Sequence, residues 1–329
     1  MTQTQNTTHG GPDALGVPAW DFSSNANACG PCPTALAAVQ QADASLYPDP
    51  TYAALREAIA AFHAVDAGRI VLAGSASEFI GRVSAWTARE GGRRAWWPAQ
   101  AYGDYAQAAQ AWRLERTDDP AQADLAWLCE PASPLGGAEQ QAHQVVGSAL
   151  QVVLDRAYEP LRLRGVCSLD PVAQNHVWQL WTPNKALGLT GVRGAYAIAP
   201  EHALTEARAL EQLAPSWPLG AHAVAMLDAW LSSAAQDWLT HSLPTLREWK
   251  RELCAMLEDL GWTVTPSDAN FFCATPPHRL NAMALRSHGV KLRDATSLGL
   301  PGQFRLSAQA PEAQVALRRA LIAQKERVA

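Results

Sequence analysis

A chain of 329 residues can hold one large or two moderate domains. With 48% hydrophobic and 17% charged residues it has the composition of a protein with a large core, which excludes a disordered chain. A formal net charge of -5 offers no basic surplus for nucleic acid, no apolar run reaches membrane-spanning length, and the opening stretch Met1–Gly10 is polar without an apolar signal core; we therefore expect a cytoplasmic protein with neither a nucleic-acid nor a membrane partner.

The chain opens with His9-Gly-Gly11 and then Asp21-Phe-Ser-Ser-Asn25-Ala-Asn27, where Asx residues and the following Gly-Pro predict ordered turns and no regular element. The six cysteines are scattered except for Cys29-Gly-Pro-Cys32, which is identical to the thioredoxin active-site motif. A redox pair should follow a strand and open a helix. A helix is predicted from Thr34 to about Leu46, but no strand-helix-strand unit precedes it, so two ordinary thiols in a turn are the simpler expectation. No histidine stands at ligand spacing nearby, so we expect no metal. Tyr47-Pro-Asp-Pro50 makes a turn, and Leu55, Ile59 and Phe62 place an apolar face on a helix from about Tyr52 to Val65.

From Arg69 onward short apolar runs alternate with helical segments. Arg69–Ala73 reads as a buried strand, and Gly74-Ser75-Ala76-Ser77 turns into a helix ending near Arg89. Small residues opening a helix leave free N–H groups at its positive end, an arrangement suited to a phosphate. Ala95–Trp97 is the next strand, with Tyr102 at the start of the following helix. Ala123–Cys129 is a strand leading into Glu130-Pro-Ala-Ser133-Pro-Leu-Gly136, and Gln151–Asp155 is a strand that ends in a carboxylate followed by Arg156-Ala-Tyr158. Val177–Trp181 and Ala195–Ala199 flank a tight irregular loop containing Pro183, Gly188, Gly191 and Gly194. Thr182, Lys185 and Arg193 lie in that loop. A lysine held among apolar residues loses solvation, which favours its neutral amine and makes it a candidate nucleophile for a carbonyl; an ordinary surface lysine is the plain alternative. The alternation over residues 69–200 predicts an α/β, mostly parallel sheet with helices on both faces. Beyond it we expect helices at about 201–213, 221–232 and 235–260, the last bent near Pro244, then an α+β region with strands near Thr263, Phe271, 290–293 and 303–307, a helix over 280–288 and a final helix from Pro311.

Lys185-x-x-Gly188-Leu189-x-Gly191-x-Arg193-x-x-Tyr196 resembles the cofactor-lysine segment of the class I/II (fold type I) aminotransferases, which use pyridoxal 5'-phosphate (PLP). The resemblance runs from His9 to the last helix. The His-Gly-Gly and Asp-Phe-Ser-x-Asn-x-Asn wording is similar to threonine-phosphate decarboxylases of cobalamin biosynthesis, and the Lys291-Leu-Arg-Asp294 and Gly299-Leu-Pro-Gly302 stretches to histidinol-phosphate aminotransferases. It implies a large PLP-binding domain over residues 46–218, a small domain combining an N-terminal arm (1–45) with residues 219–329, and a homodimer. It implies Lys185 as the Schiff-base lysine and proton carrier, Asp155 on the pyridinium nitrogen, Tyr158 on the phenolic oxygen and Tyr102 stacked on the ring. Gly74, Ser75, Ala76, Thr182 and Arg193 would hold the phosphate, helped by Tyr47 of a neighbouring subunit. Arg305 would take the carboxylate of an amino acid substrate, with His9 and Asn27 on a substrate phosphate. Three positions depart from the usual pattern: Ser133 replaces an asparagine, Arg156 a glutamate and Asn184 a serine. The N-terminal wording favours a threonine-phosphate decarboxylase-like activity, with a histidinol-phosphate-type aminotransferase as the alternative and a catalytically inactive PLP-fold binding module as the alternative of another class.

Overall fold

Residues 9–325 are described by the computed structural model, so the first eight residues of the predicted arm lie outside the described residues. A short strand β1 (Trp20–Asp21) precedes helices α1 (Pro33–Gln41) and α2 (Ala53–His63). Strands and helices then alternate: β2 (Ile70–Ala73), α3 (Ala76–Arg89), β3 (Arg94–Trp96), α4 (Gly103–Ala111), β4 (Glu115–Arg116), β5 (Leu125–Cys129), α5 (Ala142–Ser148), β6 (Val152–Asp155), α6 (Pro171–Gln174), β7 (Trp178–Trp181) and β8 (Ala195–Ile198). After α7 (Leu204–Gln212), α8 (Ala221–Trp230) and the long α9 (Ser233–Asp259) come β9 (Thr263–Val264), β10 (Phe271–Thr275), α10 (Ala282–Ser287), β11 (Val290–Lys291), β12 (Arg293–Asp294), β13 (Phe304–Ser307) and α11 (Pro311–Lys325).

Seven strands form one sheet in the order β2-β8-β7-β6-β5-β3-β4. Neighbours are parallel except at β8, which runs antiparallel to both β7 and β2. Strands β2, β5, β6, β7 and β8 are buried along their whole length, as continuous apolar runs in a covered sheet must be. Alternate side chains supply opposite faces. Ile70 and Leu72 pack with Ile59, Tyr196 and Leu227 under α2 and α8, whereas Val71 and Ala73 pack with Phe79, Val83 and Trp178 under α3 and α7. The expected α/β architecture is therefore present. A second, antiparallel sheet, β12-β13-β10-β9, is covered by α9 and α11 through Leu253, Leu257, Phe272, Leu306 and Leu317.

Several local readings change. Trp20–Asp21, read as a turn, pairs in parallel with Val290–Lys291, which tethers the start of the chain to its far end. The single strand expected over 290–293 is split, its first half facing β1 and its second β13. The helix expected to reach Leu46 stops at Gln41, because Asp43 turns the backbone by accepting from the Ser45 N–H and hydroxyl. Helix α9, by contrast, covers the expected span and runs through Pro244, its apolar face buried from Leu239 through Leu246 to Leu257; packing outweighs one lost ladder bond. β4, α5 and α6 carried little apolar periodicity and were not anticipated.

The N-terminal turn docks directly beneath the loop that carries Lys185. Asn27 N–H donates to Lys185 O (2.9 Å) and Cys32 N–H to Leu187 O (2.8 Å). Gly188 adopts φ +68°, and a Cβ there would stand 2.5 Å from Gly30 O. Gly188→Ala is therefore expected to destabilise the protein by about 2 kcal/mol or more, through backbone strain and a clash with a rigid carbonyl. Urea unfolding of the two proteins checks this.

Candidate active site

The parallel strands end at one edge of the sheet, where open α/β folds place their ligands. There the segments following β2, β5, β6 and β7, with the start of β8 and the N-terminus of α4, enclose a cavity of roughly 560 Å³, its mouth included. Ser75, Ala76, Tyr102, Ser133, Asp155, Tyr158, Thr182, Lys185 and Arg193 line it, so nine of the residues singled out in the sequence meet in one place.

On one side the N-terminus of α3 enters the cavity. Ser75 caps the helix by accepting from Glu78 N–H (3.1 Å), while the N–H groups of Ala76 and Ser77 have no acceptor inside the helix. The exposed guanidinium of Arg193 lines the same cavity and has no ion-pair partner among the described residues. Gly74 borders this corner without lining it. Its N–H donates to Glu78 Oε2 (3.2 Å), so the free donors begin at Ala76.

On the opposite side β6 delivers Asp155, 3% exposed, to the cavity floor. Tyr105 hydroxyl donates to its Oδ2 (2.7 Å) and Ala157 N–H to its Oδ1 (2.9 Å). No cation pairs with it within the described residues. Burial pushes the Asp155 carboxyl above the usual carboxylate range, opposed by Tyr105, Ala157 and the charge of Lys185. Half-buried Lys185 lies between the two sides. Its Nζ donates to Thr182 Oγ1 (3.4 Å) and stands 5.4 Å from the centre of the Tyr158 ring. Tyr158 itself is held edge-on against Phe271. Tyr102 forms a wall, its hydroxyl 3.4 Å from Ser77 Oγ and its ionisation shifted upward by burial.

Arg305 is one hydrogen bond behind the lining. It is buried over the Phe271 ring, its Nη1 donating to Ser133 Oγ (3.4 Å) and its Nη2 to Ser23 O (3.3 Å), with Nε unpartnered. Asn27 is not a lining residue. Its Nδ2 donates to Ala186 O and Ser242 Oγ and its Oδ1 accepts from Cys29 N–H, so the expected substrate contact gives way to a support beneath the lysine loop. His9 is exposed and outside the lining, and Tyr47, 78% exposed, stacks on Trp217. Arg156 points away from the cavity, over Trp181 and onto Gln179. Cys29 is partly covered and its thiol is pushed up by burial, the opposite of what a redox thiol needs. Ser77, Cys129, Ala157, Asn184 and Gly194 also line the cavity without having been assigned a role there.

The model of the family "Aminotransferase class I and II" matches residues 18–130 and 141–321. The chain belongs to this family. Histidinol-phosphate aminotransferase 2 of Rhizobium meliloti is 27% identical over 295 residues, 83% of each chain, and the histidinol-phosphate aminotransferase of Jannaschia sp. is 26% identical over 320 residues. Among solved structures, that of histidinol-phosphate aminotransferase from Sinorhizobium meliloti in complex with pyridoxal-5'-phosphate superposes with a TM-score of 0.80 at 21% identity, covering 99% of this chain and 97% of that one. L-threonine-O-3-phosphate decarboxylase from Porphyromonas gingivalis gives 0.77 at 21% identity, covering 93% and 99%. The fold is that of the fold type I aminotransferases, and the protein is a PLP-dependent enzyme.

The aminotransferase cavity fits that cofactor. PLP carries a phosphate, a ring nitrogen that accepts a proton and an aldehyde, and the cavity presents a helix N-terminus with an arginine, an uncompensated buried carboxylate and an amine. Because the folded chain raises the Asp155 pKa, it holds that proton more tightly than the unfolded chain does; ionising the group costs the apo-protein stability as the pH rises through the folded value. Apo Asp155→Asn should therefore melt above the apo wild type at pH ~8, with the gap closing toward pH ~4. Thermal melts across that range check the sign.

Proposed function

We propose that this aminotransferase acts on an amino-phosphate substrate of the histidinol-phosphate type. The observation that carries the reading is the run of curated histidinol-phosphate aminotransferases aligned over most of both chains, together with a cavity that keeps amine, buried carboxylate and arginine. PLP, when bound, supplies an electron sink for the bonds at the substrate's Cα. Lys185 would hold the cofactor, and its amine would move the proton at the substrate's Cα. Asp155 keeps the ring nitrogen protonated. Ala76 and Ser77 N–H groups, Thr182 and Arg193 would hold the cofactor phosphate, and Tyr158 would donate to its phenolic oxygen. Arg305 receives the substrate's anionic group, since its planar donors suit a carboxylate or phosphate.

A second reading, a threonine-phosphate decarboxylase-like activity of cobalamin biosynthesis, is supported by the His9-Gly-Gly and Asp21-Phe-Ser wording. Both readings use the same anchoring residues and differ in which Cα bond breaks. We further propose a cytoplasmic homodimer, with exposed Tyr47 reaching the phosphate of the second copy, and a division into residues 46–218 and a small domain of 1–45 with 219–329. No helix among the described residues is long and apolar enough to cross a membrane.

Single turnovers with histidinol phosphate and with threonine phosphate separate the readings. The aminotransferase converts the enzyme-bound cofactor to its amine form with histidinol phosphate and releases no carbon dioxide. Carbon dioxide from threonine phosphate, with the original spectrum restored, would give the decarboxylase. Arg305→Lys, which keeps the charge but loses the fork, should raise KM for the preferred substrate by about tenfold or more.

A further inference from the structure

Asp155 meets the cavity with a partner that neither the mechanism nor the sequence motifs employ. Tyr102 and Tyr105 stand one turn apart at the start of α4, their rings edge-to-face with centroids 5.8 Å apart. Tyr102 faces the cavity. Tyr105 is fully buried beneath it, stacked on Trp127 of β5 with ring centroids 4.6 Å apart and 8° between planes. That stack fixes the direction of the hydroxyl, which donates to Asp155 Oδ2 at 2.7 Å. Ala157 N–H occupies Oδ1. The other ionisable groups facing the carboxylate are Lys185, Asp104 and the buried thiol of Cys129.

We propose that Tyr105 is a positioning residue for the cofactor: its hydroxyl keeps Asp155 ionised and turned toward the ring nitrogen. The inference rests on Asp155 facing that nitrogen, as proposed above. A carboxylate in this apolar floor is stable as an anion only while hydrogen bonds replace lost hydration. Tyr105 contributes the largest of the effects that favour the charged form. The tyrosine ring packs in the core through Trp127, so a phenylalanine there preserves the packing and removes a single donor. Without that donor Asp155 takes up a proton at higher pH. The neutral acid then no longer favours a protonated ring nitrogen, and the electron sink weakens although Lys185 is untouched.

Equilibrium titration of apo-protein with PLP from pH ~5.5 to ~9 tests this in wild type, Tyr105→Phe, Asp155→Asn and the double variant, with nitrogen NMR of ¹⁵N-labelled PLP reporting the ring nitrogen. The expected result for Tyr105→Phe is PLP binding weaker by about ten- to a hundredfold at neutral pH, a loss that begins at higher pH than in wild type, and an unprotonated ring nitrogen. In the Asp155→Asn background the same change should cost little further affinity. Wild-type affinity, pH profile and ring-nitrogen state in Tyr105→Phe would overturn the proposal. So would an equal loss in both backgrounds, which would make Tyr105 a packing residue only. An unprotonated ring nitrogen in the wild type would overturn the orientation of the cofactor itself, and this inference with it.

Discussion

A buried carboxylate with no ion-pair partner among the described residues is the constraint around which the site is arranged. Removing an ion from water costs several kcal/mol unless hydrogen bonds or an opposite charge replace the lost solvation. Asp155 has two hydrogen bonds and, among the described residues, no ion-pair partner, at the end of the central strand of the sheet. A chain that folds with such a group leaves part of its stability to be completed by a ligand carrying a proton or positive charge. The PLP ring nitrogen answers that requirement, and its binding stabilises the folded state by mass action.

The rest of the molecule holds the other groups at fixed distances from this carboxylate. β6 and β7 are hydrogen-bonded neighbours, so the loop bearing Thr182 and Lys185 starts beside Asp155. Antiparallel β8 returns that loop along the sheet and places Arg193 at the same edge. From below, Asn27, Cys32 and Gly30 brace the lysine loop through its backbone. The same N-terminal segment pairs β1 with β11 and offers Ser23 O to Arg305. The N-terminal segment therefore touches both the lysine loop and the strand that carries Arg305.

Much of this was legible in the sequence because it depended on local pattern. Short apolar runs fixed the positions of β2, β5, β6, β7 and β8, since strands buried on both faces leave no polar interruption. The residues ending those strands were assigned as a group through the family resemblance, and a parallel sheet then collects them at one edge. What escaped depended on contacts between distant segments. Trp20–Asp21 has no strand signature of its own and pairs only because β11 is brought alongside it. Asn27 belongs to a stretch matching a substrate-binding pattern, yet three hydrogen bonds turn its amide into the floor of the lysine loop. Tyr105 carried no sequence signal of its own, and its hydroxyl became informative once α4 was laid across β5 and β6.

The chain contains four lysines, Lys185, Lys250, Lys291 and Lys325, so the site of cofactor attachment is a choice among few. Lys291 is paired with Asp13. Lys250 is the chemically serious competitor, because burial lowers its pKa to about 8; but its amine donates to Ser267 O and Ala269 O, away from the cavity. Borohydride reduction of the PLP-loaded protein, followed by peptide mapping, decides the matter directly. This account predicts a single modified peptide labelled at Lys185. Label on Lys250 or any other lysine, or no stable label at all, would contradict it.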